Sequence, residues 1–109
     1  MSYNIVAVPT FKKELKQLSK KHPSLKFDLE KLFETLATNP TQGVFLGNNC
    51  YKIRLAVSSK GKGKSGGARV ITNVVVTEST VYLLSIYDKA EYDTLTENGL
   101  KELLNSIPK

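Results

Sequence analysis

The chain has 109 residues, of which 40% are hydrophobic and 24% charged, and its net charge is +6. This length and balance predict one globular domain over residues 1–109 with a single hydrophobic core, and they leave no material for a second core. No apolar run approaches the length of a membrane span, so a chain that crosses a bilayer is excluded.

The N-terminal residues contain no basic leader followed by an apolar stretch. We therefore expect no secretory signal and place the protein in the cytoplasm. The single cysteine, Cys50, cannot form an internal disulfide, which agrees with a reducing compartment.

The first part of the chain predicts a strand followed by two helices. Tyr3 to Val8 is short and β-prone and ends at Pro9. Thr10 is the expected N-cap of a helix that ends at His22-Pro23, and a second helix opens at Pro23 or Ser24 and ends at Asn39-Pro40. Apolar residues recur at helical spacing in both helices, at Phe11, Leu15, Leu18, Leu25, Leu29, Leu32, Phe33 and Leu36. The short break between them predicts an antiparallel helical hairpin.

The second part changes to the period-two pattern of strands. We expect strands at Tyr51–Ser58, Ala68–Thr77 and Thr80–Tyr87, which form an antiparallel meander with a turn near Glu78-Ser79. Thr96 caps a final helix that stops near Pro108. The predicted fold class is α+β, with the order βααβββα, one sheet, and helices on one side of it.

The excess positive charge lies in one segment. Between Glu34 and Glu78 there is no acidic residue, and the basic residues of this segment are Lys52, Arg54, Lys60, Lys62, Lys64 and Arg69. Charge concentrated in this way indicates a face that binds a polyanion, with a merely solvated face as the alternative.

Strand alternation places Lys52 and Arg54 on one face, and hairpin pairing brings Arg69 close to them. Three cations on adjacent strands predict a phosphate site, and the alternative is a sheet edge that charge protects from aggregation. Tyr87, at the end of the last strand, stacks on a base or transfers a proton in this hypothesis. Packing of its ring against the sheet is the competing interpretation.

The glycine-rich segment Gly61–Gly67 resembles a nucleotide-binding P-loop only superficially. Ser58 stands where that motif requires glycine, and a strand follows instead of a helix, so triphosphate binding is excluded. The loop lysines, Lys60, Lys62 and Lys64, either contact RNA phosphates or belong to a mobile loop without function.

The remaining reactive residues predict no metal site and no cofactor. His22 is interpreted as a residue of the helix connector, remote from the basic strands, and Cys50 as a small buried side chain. One histidine and one cysteine cannot form a usual zinc site, and the basic segment has no carboxylates for magnesium. Any chemistry must use cations, hydroxyls and phenols, which suits RNA cleavage because the 2′-hydroxyl supplies the nucleophile.

Three stretches carry a resemblance to a known family. Tyr51-Lys52-Ile53-Arg54, Gly63-Lys64-Ser65-Gly66-Gly67-Ala68-Arg69-Val70-Ile71 and Leu83-Leu84-Ser85-Ile86-Tyr87-Asp88-Lys89 are similar to the RelE/HigB-like toxins of bacterial toxin–antitoxin pairs. The resemblance implies a ribosome-dependent endoribonuclease that cuts mRNA, needs no cofactor and is held inactive by a cognate antitoxin.

By position, the resemblance implies that Lys52, Arg54 and Arg69 contact the scissile phosphate. Tyr87 would orient a base or transfer a proton, and Lys89 would be a further RNA contact. Val81 to Ile86 lacks the additional Arg or His of many relatives, which leaves the general base and acid open. The alternatives are a gyrase poison like the ParE toxins, which share this fold, and a plain RNA-binding module.

Overall fold

The computed structural model describes residues 2–61, 63, 66–91 and 95–107. Its regular elements follow one another as β1 (Asn4–Ala7), α1 (Pro9–Lys21), α2 (Leu25–Thr38), β2 (Val44–Gly47), β3 (Cys50–Leu55), β4 (Ala68–Val75), β5 (Thr80–Asp88) and α3 (Glu97–Leu104). The predicted α+β class and the order of helices and meander are confirmed. No helix among the described residues is both long and apolar enough to cross a membrane.

The five strands form one mixed sheet in the order β1-β5-β4-β3-β2. β1 pairs with β5 in parallel, and the other neighbours are antiparallel. The meander was predicted with three strands, and the structure adds β2 as an edge strand. Its hairpin to β3 turns at Asn48 and Asn49, both with positive φ, a conformation that asparagine adopts more readily than most residues.

The boundaries of α1 and α2 differ from the prediction by one or two residues, whereas α3 ends at Leu104 and not near Pro108. α1 begins at Pro9 and not after a Thr10 cap, because proline needs no hydrogen bond for its missing amide hydrogen at a first helical position. At α3 the predicted cap is confirmed, since the Thr96 hydroxyl accepts a hydrogen bond from the Gly99 amide at 3.0 Å.

The main core lies between the sheet and the α1–α2 hairpin. Ile53, Val70 and Ile86 stand opposite one another on three strands and are almost fully buried. Burial of side chains of this size stabilises a fold by about 1.5–3 kcal/mol each. Phe11 and Leu18 of α1 belong to the same core cluster.

The opposite face of the sheet is covered by α3. Ser85 lies on this face, and it borders a groove with Leu95, Gly99 and Leu103 of the C-terminal segment. Leu100 is buried there. The expectation that all helices share one side of the sheet is therefore wrong, because a sheet with apolar residues such as Ile71 on its second face needs a second cover.

Candidate functional site

Three of the predicted site residues form a row across the sheet. In the strand register, Arg54 of β3 lies opposite Arg69 of β4, and Arg69 lies opposite Tyr87 of β5. Residues directly opposite in an antiparallel ladder share a face, and Lys52 is on that face because it precedes Arg54 by two positions. The backbone thus brings all four predicted residues to the face that α3 partly covers.

The members of this row differ strongly in exposure. Arg54 is exposed and Lys52 half-buried, whereas Arg69 is only 1% exposed and Tyr87 only 3%. One guanidinium nitrogen of Arg69, Nη1, donates to the carbonyl oxygen of Ala68 at 3.1 Å. The side chains of the row are therefore aligned, but those of Arg69 and Tyr87 are shielded from solvent.

The accessible parts of the row open onto two different hollows. Arg54 borders a groove beside α2, together with Asp28 and Lys31. Tyr87 borders a cleft of about 120 Å³ between α1 and the free edge of β5, together with Glu14 and Glu91.

The predicted RNA-binding lysines lie in different surroundings. The ammonium group of Lys60 is 2.7 Å from the Asp88 carboxylate, and the Lys60 side chain is only 13% exposed. Lys89 is exposed. Lys62 and Lys64 lie outside the described residues, so their predicted role remains a prediction.

Asp88 connects β5 to the helical hairpin and to the glycine-rich loop, and this role was not predicted from the sequence. Its carboxylate binds Lys60, accepts a hydrogen bond from the Ala90 amide, and lies 2.9 Å from Nε2 of His22. Burial alone would raise the pKa of Asp88, but these contacts outweigh it and lower the pKa to about 2. The prediction that His22 is remote from the basic strands is wrong, since it reaches the end of β5.

A second carboxylate, Asp28 of α2, fixes the start of the glycine-rich loop. It accepts hydrogen bonds from the Ser58 hydroxyl at 2.6 Å, the Ser58 amide at 3.0 Å and the Ser24 hydroxyl at 2.9 Å. Burial opposes ionisation of Asp28, but these donors prevail and lower its pKa. Together, Asp28 and Asp88 hold the turn Ser58–Lys60 against the helical hairpin and β5.

Gly67, at the other end of the loop, is required by a close approach of two strands. A Cβ atom at this position would overlap the carbonyl oxygen of Leu55. The Gly67 carbonyl also accepts a hydrogen bond from the Lys89 amide. This glycine therefore lets β3 and β4 approach each other where the basic row begins.

Glu14 is a candidate proton-transfer group that the sequence reading missed. Its carboxylate accepts a hydrogen bond from the Ser85 hydroxyl at 2.8 Å and lies in the cleft that Tyr87 borders. Burial raises the pKa of Glu14, although the Ser85 and Ile86 contacts oppose the shift. The sequence contains one indication of this role, since Glu14 is the single acidic residue of α1 and the helix also contains five lysines.

Cys50 is fully buried, as predicted, and burial raises the pKa of its thiol. Within the described parts of the chain, no three His, Cys, Asp or Glu side chains are grouped as metal ligands would be.

Comparison with solved structures finds other proteins with a similar fold. A double arginine-to-alanine mutant of the E. coli toxin RelE in the free state matches with a TM-score of 0.65 and 19% identity, over 99% of this chain and 100% of that chain. The isolated E. coli RelE toxin matches with a TM-score of 0.57 and 21% identity, over 97% of this chain and 100% of that chain.

A third match is the intact E. coli RelBE toxin–antitoxin complex, with a TM-score of 0.51 and 22% identity over 80% of this chain and 96% of the matched chain. No protein-family model matches the sequence. The chain therefore has the fold of RelE, and the resemblance drawn from its sequence is confirmed for the fold.

Proposed function

We propose that this RelE-fold chain is the toxin of a toxin–antitoxin pair and that it cuts mRNA on the ribosome, in the cytoplasm. The observation that carries the proposal is the row of Arg54, Arg69 and Tyr87 in direct register on three neighbouring strands, with Lys52 on the same face. The full-length match to RelE and the solved RelBE complex support a toxin role and an antitoxin partner.

In the proposed reaction, the 2′-hydroxyl of the message attacks the adjacent phosphorus and the bond to the 5′-oxygen breaks. The products are a 2′,3′-cyclic phosphate and a 5′-hydroxyl, and one proton moves from the nucleophile to the leaving oxygen. Lys52, Arg54 and Arg69 stabilise the negative charge that develops on the phosphorane. No metal or organic cofactor takes part in this proposal.

Tyr87 is proposed to orient a base or to transfer a proton. Glu14 borders the same cleft, and burial raises its pKa, which makes its protonated form more available as a proton donor than that of an exposed carboxylate. Lys62, Lys64 and Lys89 are proposed as further contacts to RNA phosphates. Lys60 serves a different purpose in this proposal, since its pairing with Asp88 holds the loop in place.

The burial of Arg69 and Tyr87 sets a condition on the proposed reaction. Both side chains are almost fully buried, so contact of Arg69 with RNA requires a movement of the chain around it, whereas Tyr87 also borders the cleft beside α1. α3 is the described helix on that face, and its groove along Ser85 lies next to the row. The ribosome-bound protein is therefore expected to differ from the free protein in the position of α3.

The test is a translation reaction with purified protein, in which new ends on the message are mapped. Wild-type protein should produce 5′-hydroxyl ends, and Arg54→Ala, which changes an exposed residue, should cut about 100-fold more slowly. Arg69→Ala should abolish cutting, provided that circular dichroism shows it folded. Lys101→Ala, at an exposed cation of α3, is the matched control and should cut at the wild-type rate.

The proposal would be contradicted if expression of the wild-type protein arrested growth while the message stayed intact. Loss of DNA supercoiling under those conditions would instead support the gyrase-poison alternative. Binding of RNA without cutting, insensitive to Tyr87→Phe, would support a plain RNA-binding module.

A further inference from the structure

The outer edge of β2 is an open edge of the sheet. At the opposite edge, the chain at β1 is tied to α2, because the Tyr3 amide donates to the carbonyl oxygen of Ala37 at 2.8 Å. β2 has β3 as its one neighbour in the sheet, and among the described residues its backbone makes no hydrogen bond outside the sheet. About half of the amide and carbonyl groups of an edge strand point away from its neighbour, so those of β2 are open to a further strand.

The side chains of β2 make this edge apolar on both faces of the sheet. Phe45 is 59% exposed and Val44 is 53% exposed, and successive residues of a strand point to opposite faces. The centre of the Phe45 ring lies 5.3 Å from that of Tyr51, which stands opposite it on β3. Phe45 is therefore held by an aromatic contact and still exposes more than half of its surface.

The open edge lacks the charges that commonly prevent strands from pairing between molecules. Residues 35–51 contain no charged side chain, although 24% of the whole chain is charged. Charged groups flank the edge instead, since Lys52 stands opposite Val44, and Glu97 and Lys101 border a hollow with Leu46. The open edge is thus a neutral part of a strongly basic protein.

This neutrality distinguishes between the partners that the open edge could bind. Nucleic acid binds through cations, and an acidic protein is attracted to the basic surfaces, so a charge-free edge favours neither. A second copy of the chain carries the same net charge of +6 and is repelled except where charge is absent. A strand edge is also self-complementary, because a two-fold rotation about an axis perpendicular to the sheet generates its own antiparallel partner.

We propose that two copies of this chain pair through β2 in antiparallel orientation, which joins their sheets into one sheet of ten strands. The apolar side chains of one β2 then pack against those of the other. Three strand spacings separate the two β3 strands, about 14 Å in all, and Lys52 and Arg54 of both copies lie on the same face. A four-residue strand limits the contact, so the dimer is weak and forms at high protein concentration. The dimer does not depend on the proposed nuclease function.

The first test is sedimentation equilibrium of the wild-type protein from about 10 μM to 1 mM, in about 50 and 500 mM NaCl. Salt screens the repulsion between two copies of net charge +6, so the association constant should rise about threefold or more at the higher salt. A dimer that weakens with salt would indicate an ionic contact and would contradict the proposal. Wild-type protein that stays monomeric throughout would overturn it and leave the open edge to a different protein, such as an antitoxin.

The second test adds charge to the open edge. The edge variant is Val44→Lys/Phe45→Lys, and the control is Phe27→Lys/Val76→Lys, which adds the same charge at two exposed apolar residues elsewhere. The association constant of the edge variant should be about tenfold or more below that of the control. Equal constants would place the contact elsewhere and overturn the proposal. Circular dichroism will verify that both variants are folded.

The third test locates the pairing strand without added charge. Val44→Cys, Phe45→Cys and Leu46→Cys are oxidised one at a time, with Val76→Cys as the control, and Cys50 stays in place because it is fully buried. A disulfide requires Cα atoms within about 7 Å of each other, so the position nearest the two-fold axis should cross-link about tenfold faster than the control. Equal rates at all four positions would contradict pairing through β2.

Discussion

Asp88 joins three parts of the chain that are far apart in sequence. His22 comes from the connector of the helical hairpin, Lys60 from the start of the glycine-rich loop, and Asp88 itself follows Tyr87 on β5. Because a carboxylate with two such partners holds a fixed orientation, the residue beside Tyr87 is tied to the helices. The position of Tyr87 therefore depends on a group that has no part in the proposed chemistry.

Asp88→Asn should destabilise the protein at neutral pH by about 1–2 kcal/mol, because an amide cannot pair with Lys60 as a carboxylate does. The pKa of Asp88 is lowered, so its contribution is present above the unfolded value of 3.8 and is lost as pH falls towards about 2. Urea unfolding of both proteins between pH 7 and pH 2 measures this difference. Glu30→Gln, at an exposed carboxylate of α2, is the control and should show no such dependence.

Glu14 should give the free energy of unfolding the opposite dependence on pH. Its pKa is raised, so the folded state is favoured while Glu14 is protonated and loses that advantage as pH rises through the raised pKa. Glu14→Gln can still accept hydrogen bonds from Ser85 and Ile86 but carries no charge. As pH rises above 4.5, the free energy of unfolding of the Glu14→Gln variant should therefore fall less than that of the wild type. Identical profiles would show that Glu14 is not a buried titrating group.

Local pattern predicted most of the elements but missed β2 and the contacts that arrange the site. β2 has four residues and two exposed side chains, Val44 and Phe45, so it lacks the alternation of a half-buried strand. The sequence feature that indicates the β2–β3 hairpin is Asn48-Asn49, a pair suited to positive φ. The bond from Ser85 to Glu14 joins residues 71 positions apart, and single-sequence periodicity carries no information at that distance.

The approach of β3 to β4 at Gly67 predicts a specific cost for any side chain there. Gly67→Ala should destabilise the fold by about 1–3 kcal/mol, since the new methyl group overlaps backbone of Leu55 and neither strand can move without breaking ladder hydrogen bonds. Gly61→Ala is the comparison, because Gly61 has open space around it and only its positive φ penalises alanine, by about 1 kcal/mol. Thermal unfolding of the two variants should rank Gly67→Ala as the less stable. The reverse order would contradict the close approach.

The two faces of the sheet are covered unequally. Two helices with thirteen and fourteen residues cover one face, whereas the eight-residue α3 covers the other. A short helix held by few buried residues opens more readily than the rest of a domain. The buried Arg69 and Tyr87 are on the same face of the sheet as α3, which is the less firmly held side of the molecule.

Leu100→Ala should weaken the docking of α3 by about 2 kcal/mol and raise hydrogen exchange of its amides about 30-fold, while the Val70 amide in β4 stays protected. If opening of α3 admits RNA, the variant should also need less message for half-maximal cutting, since more molecules are competent to bind. Lys101→Ala is the control on the same helix. Equal acceleration at Val70 would mean that α3 opens only when the whole domain unfolds.

The parallel pairing of β1 with β5 has a consequence for synthesis. Asn4 lies beside Thr80 and Ala7 beside Leu83, so the first strand to be translated has no neighbour in the sheet until the last one is made. Pairings that span so much of a polypeptide form slowly and late. β1 therefore has no partner in the sheet until β5 has been synthesised, and completion of the sheet beside Tyr87 is expected to be a late step in folding.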